Sequence, residues 1–392
     1  MGIQHSADAP TNARRAINFE PRILELLEGR LVRRTHGPYQ SLTNATVERK
    51  LRNLLCANGH SDSTITELAR MAGGALKEQF CFTLITAEGR REKRVLRVVS
   101  LESIVETCRH REAEVLAALV SEFPVATVRF VDGDGLHLGQ PGVITSFVPG
   151  VSKPPNRAQV VSGVGTVFTA EWRARLAPQF IANLCQLHAL DWRAKHLPHF
   201  AAPIHFPTQA ALWQVNWWSK VWHDDALAPD PLLTFAECWM RENLPSCAAP
   251  VLLHGDYRTG NLMFDPDHGS ITAILDWELA QIGDFHEELG WIMQRLFAGA
   301  ADGGNVYVCN LMTREDFICD YQRVSGRQVN LRTLAFYEIL NAYKCAVMNL
   351  GTGAGIAARG NNHQDSLLSF MASVGHTFKG EIARLLAEEL DP

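Results

Sequence analysis

Residues 250–291 read PVLLHGDYRTGNLMFDPDHGSITAILDWELAQIGDFHEELGW, and no other stretch limits the possible folds of the chain as strongly. Polar and charged residues stand here at the ends of short apolar runs. The run Val251–Leu253 ends in His254-Gly255-Asp256, and Asn261 follows Asp256 by five residues. Leu262–Phe264 then resumes the apolar pattern before an Asp265-Pro266-Asp267 turn, and residues 271–275 lead into Asp276. The layout predicts short strands flanking a polar loop, with Asp256, Asn261 and Asp276 brought to one mouth. His254, a single histidine beside a buried strand end, reads as a hydrogen-bonded structural group.

The remainder of the 392 residues has room for two or three packed units at a typical ~150 residues each. Helical patterns around residues 21–32 and 44–55 predict an N-terminal helical extension over residues 1–60. Runs 79–87 and 93–99, rich in aromatic and branched residues, predict strands joined by a hairpin turn at 88–91. Residues 102–119 fit a helix that Pro124 stops. Runs 128–131 and 136–138 look like strands joined by Asp132-Gly133-Asp134-Gly135, and 142–148 forms a third. From Glu171 onward the patterning is mostly helical. The expected division is a β-rich unit with one helix over 61–148 and a mainly helical unit over 149–392, an α+β arrangement. The Gly-rich residues 351–360 predict a flexible loop, Trp213, Trp217, Trp218 and Trp222 a packed helix face, and 381–391 a solvated amphipathic helix.

Composition excludes whole classes of function. With 37 Lys+Arg against 42 Asp+Glu, a formal charge of -5, a nucleic-acid partner is not expected. Nine Cys without a C-x-x-C pair argue against a disulfide framework or a zinc site and for a cytoplasmic protein with reduced thiols. The first residues are polar and lack the apolar region of a secretory signal, and no run of ~20 apolar residues offers a membrane span. The oligomeric state stays open.

An Asp, an Asn and a second Asp at one mouth suit phosphoryl transfer. One Asp orients a hydroxyl nucleophile, while Asn and the other Asp hold Mg²⁺, which favours hard oxygen ligands, against a polyphosphate. HGDYRTGN followed by LDWE and IGD resembles the catalytic core of the aminoglycoside phosphotransferase and choline kinase superfamily, closest to the branch that also occurs fused to acyl-CoA dehydrogenases. The resemblance implies a bilobal protein-kinase-like fold, with a small antiparallel-sheet N-lobe and a larger, mainly helical C-lobe. It implies Asp256 as catalytic base and Asn261 and Asp276 as Mg²⁺ ligands, with His254 and Asp284 organising the loop. Gly73 and Gly74 fall in the nucleotide-covering loop, Arg97 where a basic residue contacts the phosphates, and Glu112 where its helix partner lies. Thr145, Ser146, Phe147 and Val148 fall at the hinge that meets adenine, and His188 and Asp191 in a structural helix segment.

The implied activity is ATP- and Mg²⁺-dependent transfer of the γ-phosphoryl group to a hydroxyl of a small-molecule acceptor, in this branch a hydroxy acid or hydroxyacyl derivative. Arg258, two residues after Asp256, is a candidate for the acceptor's acidic group, with a structural or phosphate contact as the alternatives. The chain departs from the pattern at Arg97, where kinases commonly carry Lys, and at Phe285 and Glu288, where the family has Pro and Asp. Two rival readings stay open: a nucleotide-binding scaffold with little or no turnover, and a kinase of aminoglycosides or choline-like alcohols.

Overall fold

The computed structural model describes residues 17–71, 77–154, 167–300, 306–362 and 365–390, so Gly73 and Gly74 lie outside the described residues. The first lobe is built on one antiparallel five-stranded sheet, ordered β1-β2-β3-β5-β4. Its strands are β1 (Thr64–Arg70), β2 (Lys77–Ile85), β3 (Arg91–Val99), β4 (Val128–Asp132) and β5 (Gly142–Ser146). Alternation sorts the side chains to two faces. Phe80, Phe82 and Leu84 of β2 and Leu96 and Val98 of β3 pack with Val47, Leu51, Leu54 and Leu55 of α2 (Asn44–Ala57). The opposite face carries Lys77, Gln79 and Arg97 towards the second lobe.

Helix α1 (Pro21–Arg33) begins at Glu20, whose carboxylate accepts the Ile23 amide, and buries Ile23 and Leu27 in the core of the second lobe. Val115, Leu116 and Leu119 of α3 (Arg109–Leu119) join the same core. The helix expected from residue 102 therefore starts seven residues late. Residues 101–108 are buried and irregular because Glu102 and Glu106 are taken up by Arg33, Arg34 and Arg359 from distant elements. Residues 136–138 are not a strand either. The Asp132 carboxylate accepts the amides of Leu136, His137 and Leu138 at 2.9, 2.9 and 2.7 Å, and these bonds replace a ladder.

The second lobe contains α4 (Ala170–Ala189), α5 (Gln209–Asp225), α6 (Pro231–Glu242), α7 (Phe285–Ile292), α8 (Arg314–Ser325), α9 (Leu331–Ala346), α10 (Ala354–Arg359) and α11 (Asp365–Leu390). Short antiparallel pairs sit among them: β6 (Val251–Leu253) with β9 (Gln281–Gly283), β7 (Leu262–Phe264) with β8 (Ile271–Ile274), and β10 (Gly299–Ala300) with β11 (Val306–Tyr307). The four tryptophans of α5 are buried, as their helical spacing predicts. The Gly-rich residues are no loop: a π-helical turn, Val347–Gly353, runs from α9 into α10. A Cβ on Gly351 would lie 3.3 Å from the Trp222 ring and one on Gly353 3.0 Å from the Met348 carbonyl, so these glycines permit close packing. Among the described residues no helix is long and apolar enough to cross a membrane.

Candidate active site

Strand β6 delivers His254, Gly255 and Asp256 to the seam between the lobes. Gly255 has φ +80, and a Cβ there would run into the Leu279 backbone, so only glycine fits. The loop is pinned by Glu288 of α7, whose two carboxylate oxygens accept the amides of His254 at 2.9 Å and Gly255 at 2.8 Å. Burial works to raise the Glu288 carboxyl, but its hydrogen bond to His188 and the nearby His188 and His254 rings outweigh that and hold it below its usual value. His188 in turn places Nδ1 2.8 Å from the Tyr321 hydroxyl. His254 is fully buried. Its Nε2 donates to the Leu275 carbonyl at 2.8 Å and its Nδ1 accepts the Asp256 amide at 3.1 Å, joining the two strand ends that carry Asp256 and Asp276.

Glu288, a departure from the family pattern, thus holds the loop. Asp284 does something else: its carboxylate caps α7, accepting the His286 amide at 3.0 Å with the His286 Nδ1 at 2.7 Å.

Both oxygens of Asp256 receive N–H donors. Oδ1 accepts from Arg258 Nε and from Trp291 Nε1, each at 2.9 Å, and Oδ2 accepts from Asn261 Nδ2 at 2.7 Å. The same Asn261 nitrogen donates to the Asp256 carbonyl at 2.8 Å, which leaves the amide oxygen as the group able to meet a metal. Trp291 escaped sequence reasoning. The available signal was its place three residues after Glu288 on a short helix, a spacing that puts both on one face.

Asp276 follows β8 in the left-handed conformation, φ 70 and ψ 51, which Asp tolerates better than most residues. Arg97 binds Glu112 through Nη1 at 2.5 Å and Asp276 through Nη2. Burial raises the Asp276 carboxyl, yet the charges of Arg97 and Lys77 prevail and hold it well below the usual carboxylate range. The arrangement extends beyond the residues the sequence singled out. Arg109 pairs with Glu112 and, at 2.8 Å, with Glu278, while Lys77 pairs with Glu278 and donates to the Thr107 hydroxyl at 3.1 Å. Burial, then the neighbouring Arg109 and Arg97, pull the Lys77 ammonium well below its ordinary value.

At the hinge, the Ser146 amide donates to Thr127 O at 2.8 Å and the Phe147 amide to Lys93 O at 3.1 Å, and Thr145 pairs with Val95 and Val128. Val148 is the next residue along.

The residues fit a metal-bound nucleotide. Asn261 and Asp276 supply the hard oxygen donors Mg²⁺ prefers, in the small number typical where phosphates complete the coordination. Arg97 Nε and Arg109 Nε are buried with no hydrogen-bond partner among the described residues and so are available to an anion.

The sequence model of the phosphotransferase enzyme family matches residues 72–308. Mouse acyl-CoA dehydrogenase family member 11 is 26% identical over 267 residues, 66% of this chain and 33% of that protein. Mouse acyl-CoA dehydrogenase family member 10 is 28% identical over 177 residues, 44% of this chain and 15% of that protein. The chain spans a third or less of the length of these two relatives. Among solved structures, a candidate aminoglycoside phosphotransferase from Ralstonia eutropha aligns with TM-score 0.60 and 19% identity, covering 88% of this chain and 99% of that one. A type I macrolide 2'-phosphotransferase aligns with TM-score 0.52 and 17% identity, covering 84% and 97%. At such identities these likenesses show the fold, the bilobal kinase-like one.

Proposed function

The chain belongs to the phosphotransferase enzyme family, and from that premise we propose that it is a small-molecule kinase that uses Mg²⁺ and ATP to phosphorylate an acceptor hydroxyl. The observation that carries this reading is the Asp256 carboxylate, held by three N–H donors on a loop that His254 ties to the strand end before Asp276. Asp256 orients the acceptor hydroxyl and takes its proton as the oxygen attacks. Arg258 and Trp291 fix one of its oxygens, and Asn261 the other. Mg²⁺ on Asn261 and Asp276 would neutralise charge on the phosphates. Arg97, steadied by Glu112, offers its Nε–H already in place when charge develops, which supports an active enzyme over a scaffold. With the Ser146 and Phe147 amides engaged in the sheet, the purine edge is met at Val148. Gly73 and Gly74 keep the covering role their sequence position suggests, and a cytoplasmic location rests on composition alone.

The acceptor in this reading is a hydroxy acid or hydroxyacyl derivative. Two cations flank the base: Arg258, and Lys344 of α9, whose ammonium lies 3.4 Å from the Gly255 carbonyl. They favour an acidic acceptor over a cationic aminoglycoside. The sequence relatives, named as acyl-CoA dehydrogenases, point the same way.

The test is ADP release from Mg·ATP with hydroxy acids, hydroxyacyl thioesters, choline-like alcohols and aminoglycosides. Turnover is expected with one of the first two. Failure of every acceptor, with nucleotide still bound, would favour the scaffold. Asp256→Asn is expected to bind nucleotide normally and lose ~10²- to 10⁴-fold in kcat; wild-type kcat would remove Asp256 from this role.

A further inference from the structure

Lys77 opens β2 and is 3% exposed. In the antiparallel register it stands opposite Val99, and Gln79 stands opposite Arg97, so Lys77 and Arg97 are diagonal neighbours on one face of the sheet. That face turns away from the first-lobe core, and from it Arg97 reaches Asp276 in the second lobe. Lys77 pairs with Glu278, two residues beyond Asp276, and shares it with Arg109. Three cations, Lys77, Arg97 and Arg109, therefore share one largely buried cluster with three carboxylates, Glu112, Asp276 and Glu278, of which Asp276 is the most exposed.

Such a cluster is a poor source of stability, because removing each ion from water offsets much of its attraction to the others. It also holds two buried donors without a hydrogen-bond partner among the described residues, Arg97 Nε and Arg109 Nε. Costly cations and spare donors together are accounted for by an anionic ligand that enters among them. Arg97 already commits both terminal nitrogens to Glu112 and Asp276. Lys77 is less constrained: an ammonium on a flexible stem carries three donors and turns readily between partners.

We propose that Lys77 is a second phosphate-binding cation of the nucleotide site, its ammonium passing from Glu278 to the non-bridging oxygens of the polyphosphate beside Arg97. The proposal rests on the nucleotide-binding reading above. Its competitor is a purely local role in which Lys77 only neutralises Glu278.

Titration calorimetry with Mg·ATP, ADP and adenosine on wild type, Lys77→Met, Lys77→Arg, Glu278→Gln and the Lys77→Met/Glu278→Gln double variant separates the two. Lys77→Met is expected to weaken ATP and ADP by ~10-fold or more, the worth of one charge-assisted hydrogen bond, and to leave adenosine unchanged. Lys77→Arg is expected to recover part of the loss, and the double variant to stay weak. Restoration of wild-type affinity in the double variant would show that Lys77 serves Glu278 alone. Should wild type bind no nucleotide, the kinase reading falls and this proposal with it; should wild type bind and Lys77→Met bind equally well, this proposal falls alone. Because Lys77→Met leaves Glu278 with one cation fewer, Arg109 staying 2.8 Å from it, the wild-type protein provides an independent measurement. An acyl-phosphate ester of ATP, which passes its acyl group to an amine beside the phosphates and releases ATP, is expected to modify Lys77. Modification confined to other lysines would overturn the assignment.

Discussion

Glu288 accepts the amides of His254 and Gly255, one on each oxygen, so its two oxygens are not interchangeable with an amide's oxygen and NH₂. Glu288→Gln sets a donor against a donor, and a buried unsatisfied N–H costs about 1–3 kcal/mol. The expected outcome is lower stability to urea together with reduced kcat. Trp291→Phe keeps an aromatic side chain and removes the pyrrole half of the indole with the Nε1–H that reaches Asp256. It is expected to lower kcat about tenfold while KM for ATP stays nearly constant, because the lost contact positions the proposed base and not the nucleotide; a rise in KM with kcat intact would contradict this. Asp276→Ala should abolish Mg²⁺-dependent nucleotide binding by calorimetry. The grouping of Asp256, Asn261 and Asp276 was legible because each stands at the end or the start of an apolar run. Glu288 and Trp291 were not, since their partners lie more than thirty residues back in the chain.

At the scale of elements, α1 acts as a clip between the lobes. Its last turn and the residue after it present Arg30, Arg33 and Arg34, which meet Asp224 and Asp225 at the end of α5 and Glu102 and Glu106 before α3. Arg34→Ala removes a partner from both Glu102 and Asp225, while Arg359 and Arg30 remain on them. The expected cost is about 1–3 kcal/mol in urea unfolding, since hydrogen bonds to buried charges are the stronger kind. Equal stability of variant and wild type would show the clip to be idle. Most strands and helices followed from periodicity. The exceptions have tertiary causes: a side chain captured backbone, as Asp132 does, a distant charge fixed the path, as the arginines do at Glu102 and Glu106, or close packing held a glycine-rich stretch helical, as at Gly351 and Gly353.

For the whole molecule, the balance of buried charge makes stability depend on pH. Burial pushes the Glu287 carboxyl up to about 7 from 4.5, despite Lys344 and the Gln281 hydrogen bond acting the other way. Between those values the folded chain holds more protons than the unfolded one, so stability falls as pH rises through the window and levels off above it. Glu287→Gln removes this contribution. Relative to the variant, wild type is expected to lose roughly 3 kcal/mol between about pH 4.5 and 7 in urea unfolding, and a constant difference would refute the assignment. The sequence by itself determined the α+β class, most strands of the first lobe and the Asp-Asn-Asp triplet, because apolar periodicity and the polar residues that interrupt it are local properties of a chain. Only the tertiary structure decided what surrounds that triplet. Lys77 from β2, Arg109 from α3, Glu278 after β8, and Glu288 and Trp291 from α7 are recruited because buried charges and amides must find partners nearby in space, and such proximity is not written as spacing along the chain.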